Sequence, residues 1–141
     1  MKAYEATARI EASPDRVWSI LVDGSSYTDW DSGVVRLEGQ IAPVARLKVT
    51  SEANPGRAFA VRVTDLVPNQ SMRWSGGMPL GLFRGVRTFT LSSADPSGTE
   101  FKVREEYTGP LLGMIWRSMP DLQPSFDKFA SGLKARAEHG G

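Results

Sequence analysis

The last third of the chain carries two charged residues and a tyrosine at spacings that suit acid–base chemistry. The segments Phe83–Leu91 and Glu100–Thr108 alternate polar and apolar residues, a pattern that predicts two strands. Arg87 then shares a face with apolar residues of the first strand, and Glu105 and Tyr107 share one with apolar residues of the second. Counting back from the turn between the strands places Arg87 opposite or diagonal to Glu105, within reach of an ion pair.

Such a pair beside an apolar pocket has several interpretations. A charge-assisted pair can orient a carboxyl, carbonyl or phenol group of a ligand. In an enzyme, Glu105 or Tyr107 would move a proton while Arg87 stabilises a developing enolate. In the structural interpretation, the two charges neutralise each other or extend to water near the end of the sheet. The sequence leaves these alternatives open.

Large aromatic and methionine side chains are the candidates for the walls of a ligand site. Aromatic rings offer rigid apolar faces, and methionine offers a surface that adapts to a variable ligand. The same residues would equally well fill a hydrophobic core. The candidate ligand-binding residues are Trp30, Met72, Trp74, Met78, Phe83, Phe89, Val103, Met114, Trp116, Phe126 and Phe129.

Two apolar segments lie beside glycines and prolines. The segment Ser75–Arg84 is interpreted either as a lid over a cavity entrance or as an edge loop folded over the sheet. The segment Pro110–Pro120 suits the opposite side of that entrance or a patch that touches a membrane. Arg117 alone is too little positive charge to favour the membrane. In a third interpretation both segments dock a protein partner, and they would also allow a homodimer.

Several catalytic and metal sites lack the residues they need. The chain has no cysteine and a single histidine, His139, which leaves no His-based triad and no multi-histidine metal site. Asp23, Asp29 and Asp31 cluster in sequence but lack the spacing of a calcium loop. No phosphate-binding glycine motif follows a strand. We therefore predict no metal and no cofactor.

Composition limits the partners. Among 141 residues, 17 basic and 16 acidic side chains give a net charge of +1, so no broad field favours nucleic acid. No window approaches the roughly 20 apolar residues that span a bilayer, and the N-terminus lacks the apolar run of a signal peptide. The expectation is a cytoplasmic protein that is not stably inserted in a membrane and does not bind nucleic acid.

The elements that position these residues follow from the same patterns. Alternation predicts a first strand ending at Ile10, and Ser13 with Pro14 predicts a helix start. Gly24 is expected to end this helix in a left-handed conformation. The last two strands are joined by a turn at Asp95–Gly98. Four shorter strands are predicted between the helix and this hairpin, over Val34–Gly39, Ala45–Thr50, Arg57–Leu66 and Ser71–Ser75.

The C-terminal region changes to a helical period. Apolar residues recur every three or four positions from Leu122 to Ala137, which predicts one face of an amphipathic helix bounded at its start by Pro120 and Pro124. Leu111–Met119 is predicted to form either a separate helical turn or a kinked lead-in to the C-terminal helix. The long C-terminal helix can bury its apolar face only on the concave side of one sheet. The predicted fold class is therefore α+β, in a single domain over residues 1–141.

The sequence also resembles a known family, the START-like helix-grip superfamily, and within it the small bacterial polyketide cyclase/dehydrase-like members. The features that carry the resemblance are IEASPDRVWSIL followed by Tyr27 and Trp30, the central Arg73-Trp74, the strands GLFRGVRTFTL and GTEFKVREEYTGPL, and the closing FDKFASGLKARAE. The resemblance covers nearly the whole chain. It implies a strongly curved, seven-stranded antiparallel sheet that grips the C-terminal helix, with an apolar cavity between them.

For function, the resemblance implies binding of a lipid-like or aromatic polyketide-like molecule in that cavity. Because the superfamily includes enzymes, carriers and binding modules, two alternatives stay open beside it. One is a cyclase or dehydratase that uses Glu105, Tyr107 and Arg87. The other is a protein-interaction domain whose cavity is filled.

Overall fold

The structure, a computed structural model, describes residues 1–94 and 96–139. It contains strands and helices in the order that the sequence patterns predict. The strands are β1 Lys2–Ile10, β2 Val34–Glu38, β3 Arg46–Ser51, β4 Phe59–Val67, β5 Ser71–Gly77, β6 Arg84–Ala94 and β7 Gly98–Thr108. The α-helices are α1 Pro14–Leu21, α2 Leu112–Ser118 and α3 Gln123–His139, and short 3-10 turns occupy Gly24–Asp29 and Pro79–Gly81.

All seven strands form one antiparallel sheet in the order β1-β7-β6-β5-β4-β3-β2. The sheet is curled into a half-barrel, and α3 packs against its concave side beside β1 and β7. This arrangement confirms the predicted helix-grip architecture and its α+β class. Consecutive strands β2 to β7 form a meander, whereas β1 joins the sheet at its far edge by pairing with β7. Because β1 is an edge strand paired with β7, the first and the last strand of the chain lie side by side, close to α3.

The first helix begins as predicted but ends differently. The Ser13 hydroxyl accepts a hydrogen bond from the backbone amide of Arg16, and Pro14 occupies the first turn. Gly24 was expected to be left-handed, and this prediction is wrong. Val22 caps the helix in a right-handed conformation and the chain continues into the 3-10 turn. Gly24 instead packs so closely that a Cβ would lie 2.8 Å from Leu37 Cδ2.

The strand predictions are confirmed within a few residues at their ends. β6 and β7 are the longest strands and pair in register from Arg84 with Thr108 to Ala94 with Gly98. The predicted turn between them starts at Asp95, which lies outside the described residues. Because the alternation continues without interruption along both strands, every second residue of this hairpin points to the concave side.

Helix α3 supplies the other half of the core. Phe126, Phe129, Leu133 and Ala137 are buried against the sheet, as the helical period predicts, while Leu122 precedes the helix and is partly buried. The helix is also fixed at its end, because Glu138 accepts a hydrogen bond from the backbone amide of Glu11 at 2.7 Å. Its neighbour α2 is different, since none of its residues is buried.

Candidate ligand-binding site

Four neighbouring strands place one row of side chains across the concave face. Trp74 on β5 pairs with Arg87 on β6, which pairs with Glu105 on β7. Glu105 in turn pairs with Tyr4 on β1. Arg87 Nε donates to Glu105 Oε1 at 2.7 Å, so the two charges meet as the turn count predicts. Across the sheet, the row therefore presents an aromatic, a cationic, an anionic and a second aromatic side chain.

The ion pair is shielded but not sealed from solvent. The side chains of Arg87 and Glu105 are 26% and 18% exposed. The Arg87 guanidinium lies 4.7 Å from the centre of the Phe126 ring, which places α3 directly above the pair. On the next row of the sheet, Gly85 leaves room for the carboxylate, since a Cβ there would lie 3.2 Å from Glu105 Oε2. An exposed pair contributes little to stability, but a shielded one holds a defined geometry.

Tyr107 lies beside this pair and is almost fully buried. Its ring is surrounded by Tyr4, Phe83 and Trp116 at centroid distances of 6.1, 6.0 and 5.7 Å. Burial, followed by the nearby charge of Glu105, raises the pKa of Tyr107 well above its ordinary value. The Tyr107 hydroxyl therefore keeps its proton and acts as a donor.

Three buried donors of the described residues have no hydrogen-bond partner. They are the Tyr107 hydroxyl and the indole Nε1 groups of Trp30 and Trp74. The Glu105 carboxylate accepts a hydrogen bond from Arg87, and it lies close enough to the Tyr107 hydroxyl to raise the pKa of that group. Tyr27 shows the usual outcome, because its buried hydroxyl donates to the carbonyl of Leu21. An unpaired buried donor costs about 1–3 kcal/mol, so donors in such positions are expected to pair with ordered water or with a ligand.

Aromatic side chains pack closely in the space between the sheet and α3. The Phe89 ring lies 4.9 Å from Trp74 and 5.7 Å from Phe129, centre to centre. One surface depression of about 390 Å³ lies on the convex side of the sheet, and a more open one of about 630 Å³ lies beside Ser13. Neither is lined by the Arg87–Glu105 pair. A ligand in the interior therefore requires side chains or covering segments to move.

The segments that cover the pair are weakly held. Neither α2 nor the 3-10 turn Pro79–Gly81 contains a buried residue. Trp116 of α2 stacks on Tyr4 at 5.2 Å, and its ring is half-buried. Elements with few buried apolar contacts open at low free-energy cost. Displacement of α2 would expose the ring of Tyr107, which Trp116 contacts.

The structure brings most of the predicted site residues to the interior or its rim, with two exceptions. Met78 and Met114 are 43% and 58% exposed and line no interior wall. Met78 follows the end of β5, where the alternation no longer applies, and Met114 lies on the outer side of α2. Residues on the inside are Met72, Trp74, Phe89, Val103, Tyr107, Phe126 and Phe129, and those at the rim are Trp30, Phe83, Arg87, Glu105 and Trp116.

Two residues of the site were not singled out as ligand-binding candidates. Tyr4 closes the row across the strands, and Tyr27 is fully buried between Trp30, Trp74 and Phe129. The alternation of β1 placed Tyr4 on the core face, which was a usable signal. Tyr27 lies in a 3-10 turn, and no periodic pattern assigns a buried face there.

The described residues contain no cluster of three or more histidine, aspartate or glutamate side chains that could hold a metal ion. Within residues 1–94 and 96–139, no helix combines the length and the apolar character that crossing a bilayer requires.

Comparison with known proteins gives one family and a shared fold. A family model described as polyketide cyclase / dehydrase and lipid transport matches residues 1–138. No curated protein sequence matches the chain significantly. A START superfamily protein from Mycobacterium smegmatis has a similar structure, with a TM-score of 0.71 and 17% identity over 96% of each chain.

Two further solved structures share the fold. The Aha1 dimer from Colwellia psychrerythraea has a TM-score of 0.75 and 18% identity, with 99% of this chain and 98% of that chain covered. Truncated norcoclaurine synthase from Thalictrum flavum has a TM-score of 0.72 and 14% identity, with 99% and 95% covered. At these identities the likeness concerns the fold.

Proposed function

Because the chain belongs to the polyketide cyclase / dehydrase and lipid transport family, we propose that residues 1–141 act as one domain that binds a small hydrophobic or amphipathic molecule between the sheet and α3. The observation that carries this proposal is the set of three buried donors without a hydrogen-bond partner, of which Trp74 and Tyr107 lie next to the Arg87–Glu105 pair. An apolar interior that merely fills a core has no need of such donors.

The donors also define the chemistry of the ligand. The two indole groups can only donate, and the protonated Tyr107 hydroxyl has a proton to donate, so a ligand with acceptor oxygens would satisfy all three. The rings of Phe89, Phe126 and Phe129 suit an apolar or planar body. A lipid-like or aromatic polyketide-like molecule with carbonyl, phenol or carboxyl oxygens combines both properties. Arg87 adds a cationic group at the rim for its most polar end.

Entry requires the cover to move. Because α2 has no buried residue, its displacement costs little packing energy, and it uncovers Tyr107 beside the ion pair. The ligand then replaces contacts between Trp116 and Tyr4 with contacts of its own. This order of events explains how a closed interior admits a ligand.

The test is a titration with aromatic polyketides, flavonoids, fatty acids and sterols, followed by NMR of the indole and backbone amides. A ligand of the proposed kind shifts the Nε1 signals of Trp30 and Trp74, whereas the signal of Trp18 on α1 serves as the internal reference. Shifts confined to the surface, or none with any class, would favour the interaction-domain alternative.

Removing the Tyr107 hydroxyl should weaken ligand binding without lowering the stability of the fold. Tyr107→Phe deletes an unpaired buried donor, so the free energy of unfolding should stay the same or rise slightly. A hydrogen bond to the bound ligand would be lost, which lowers affinity by about fivefold to tenfold. Calorimetric titration and urea unfolding measure the two quantities.

The matched control is Tyr27→Phe. Its hydroxyl is paired with the Leu21 carbonyl, so this variant should lose about 1 kcal/mol of stability. Its effect on ligand affinity should be the smaller of the two. Equal affinities for wild type and the Tyr107 variant would remove this hydroxyl from the proposed site.

One observation favours a catalytic role as a second candidate. The protonated Tyr107 and the Arg87 guanidinium flank the Glu105 carboxylate, which is the arrangement of a base between two groups that stabilise an enolate. A cyclisation or dehydration of a bound polyketide-like molecule would use these three groups without a cofactor.

If a reactive substrate is found, Glu105→Gln should reduce turnover by at least about a hundredfold. Glutamine keeps the shape and one acceptor oxygen, so ligand affinity should change little. Rates and affinities are measured on the same preparation, and full turnover in the Gln variant would restrict the protein to binding.

A further inference from the structure

The end of the sheet where β5 stops and β6 begins presents exposed apolar side chains to solvent. Leu80 is 96% exposed, Met114 is 58% exposed and Met78 is 43% exposed. We call these three residues the apolar tip. Exposed leucine is common on proteins, but a contiguous apolar group next to a site marks an interaction surface.

The backbone of Leu80 makes the exposure more informative. It adopts a left-handed conformation, with φ 62° and ψ 21°. A leucine in that region is strained, and asparagine or glycine would fit it better. The chain thus keeps an apolar side chain at a position where both solvent exposure and backbone conformation disfavour it.

Two loops hold the apolar tip together. The amide of Leu111, just before α2, donates to the carbonyl of Leu82 at 3.0 Å. Gly109 lies so close to the same loop that a Cβ there would be 2.9 Å from the carbonyl oxygen of Gly81. The loop of Leu80 and the segment that leads into Met114 are therefore neighbours.

Three cations lie on or directly beside the elements that carry the apolar tip. Arg84 follows the Leu80 loop directly, Arg117 lies on α2, and Lys2 lies over the Trp116 ring with Nζ 5.7 Å from its centre. None of the three forms an ion pair within the described residues. Residues 77–83 and 108–119 contain no aspartate or glutamate. Arg117 alone did not favour a membrane, but the fold adds Lys2 and Arg84 to it.

From this arrangement we propose that the apolar tip docks on the surface of an anionic lipid bilayer. The apolar side chains enter the boundary between headgroups and acyl chains, and the cations contact lipid phosphates. Charge complementarity selects this occupant, since a protein partner would need an acidic rim to match. The proposal goes beyond the ligand-binding function and does not depend on it, because bilayer binding is measurable without any ligand.

The test is co-sedimentation with vesicles of phosphatidylcholine alone and vesicles in which about 30% of the lipid is phosphatidylglycerol. The wild-type protein should bind the anionic vesicles and bind the neutral ones far less. Leu80→Asn should lower the partition coefficient on anionic vesicles by at least about tenfold. Because asparagine accepts a left-handed backbone, its thermal midpoint should be unchanged or higher.

Val44 provides a matched control. It is 64% exposed and also left-handed, with φ 63°, but it lies in the β2–β3 connection. Val44→Asn should leave vesicle binding unchanged. Arg84→Gln combined with Arg117→Gln should lower binding to anionic vesicles about twentyfold and leave binding to neutral ones as it is.

Three results would overturn the proposal. They are an absence of wild-type binding to anionic vesicles, equal losses in the Leu80 and Val44 variants, and a dimer in solution that Leu80→Asn dissociates while vesicles bind nothing. The last result would assign the apolar tip to a second copy of the chain. Ligand shifts at Trp74 are measured without vesicles, so either proposal can fail while the other stands.

Discussion

Replacing Gly132 with alanine is expected to cost about 3 kcal/mol of unfolding free energy or more. Gly132 lies in the middle of α3, where the helix passes directly over the backbone of Asp31. A Cβ at this position would overlap the Asp31 carbonyl group. The obstacle is backbone rather than the end of a flexible side chain, so relief requires α3 or the loop after the 3-10 turn to shift. Urea unfolding followed by tryptophan fluorescence measures the loss.

Gly113→Ala is the matched control for this prediction. Gly113 also lies in a helix, but nothing lies within 4 Å of the position of its Cβ. Alanine favours the helical backbone over glycine by up to about 1 kcal/mol, so this variant should be neutral or more stable. A similar loss in both variants would mean that contact with the Asp31 backbone does not explain the cost at Gly132.

Phe129→Ala is expected to reduce the unfolding free energy by about 3–5 kcal/mol. The Phe129 ring lies between sheet and helix, with centroid distances of 5.2 Å to Trp30 and 5.7 Å to Phe89. It is 5% exposed. Truncation loses the transfer free energy of the ring and leaves a cavity that neighbours on a sheet and a long helix cannot readily fill.

The control for Phe129 is Phe59→Ala. Phe59 is 42% exposed at the start of β4, and its ring contacts the Arg57 guanidinium. Folding removes little of the apolar surface of Phe59 from water, so truncation should lower the unfolding free energy by less than about 1 kcal/mol. Should Phe129→Ala cost no more than Phe59→Ala, the interior would be loosely packed even without a ligand.

The sequence predicted the sheet and the ion pair because both depend on local regularities. Alternation assigns faces, and the short connection near Pro96 sets the register of β6 against β7 within one or two residues. Arg87 and Glu105 lie well inside two long strands, so small errors at strand ends do not separate them. The family resemblance then supplied the curvature and the place of α3, which alternation alone does not specify.

Other features depend on contacts between distant segments and were missed or mistaken. Gly24 was predicted to end the first helix, but its lack of a side chain instead allows Leu37 to pack closely, because a Cβ there would be too close to the side chain of Leu37. Met78 and Met114 were candidates by residue type, and their exposure follows from loop and helix orientation. The sequence could not predict that the Trp74 and Tyr107 donors lack partners, because the pairing of a polar atom depends on every neighbour in three dimensions.

The pairing of β1 with β7 has a consequence for how the chain folds. Lys2 lies against Tyr107 and Ile10 against Thr99, so β1 joins strands that are synthesised long after it. Strands β2 to β7 pair with sequence neighbours and can assemble as a local meander. β1 must wait for β7, and closing such a long loop is slow relative to hairpin formation. Folding is thus expected to end with the docking of β1, and until then the apolar faces of β7 and α3 are open to other chains.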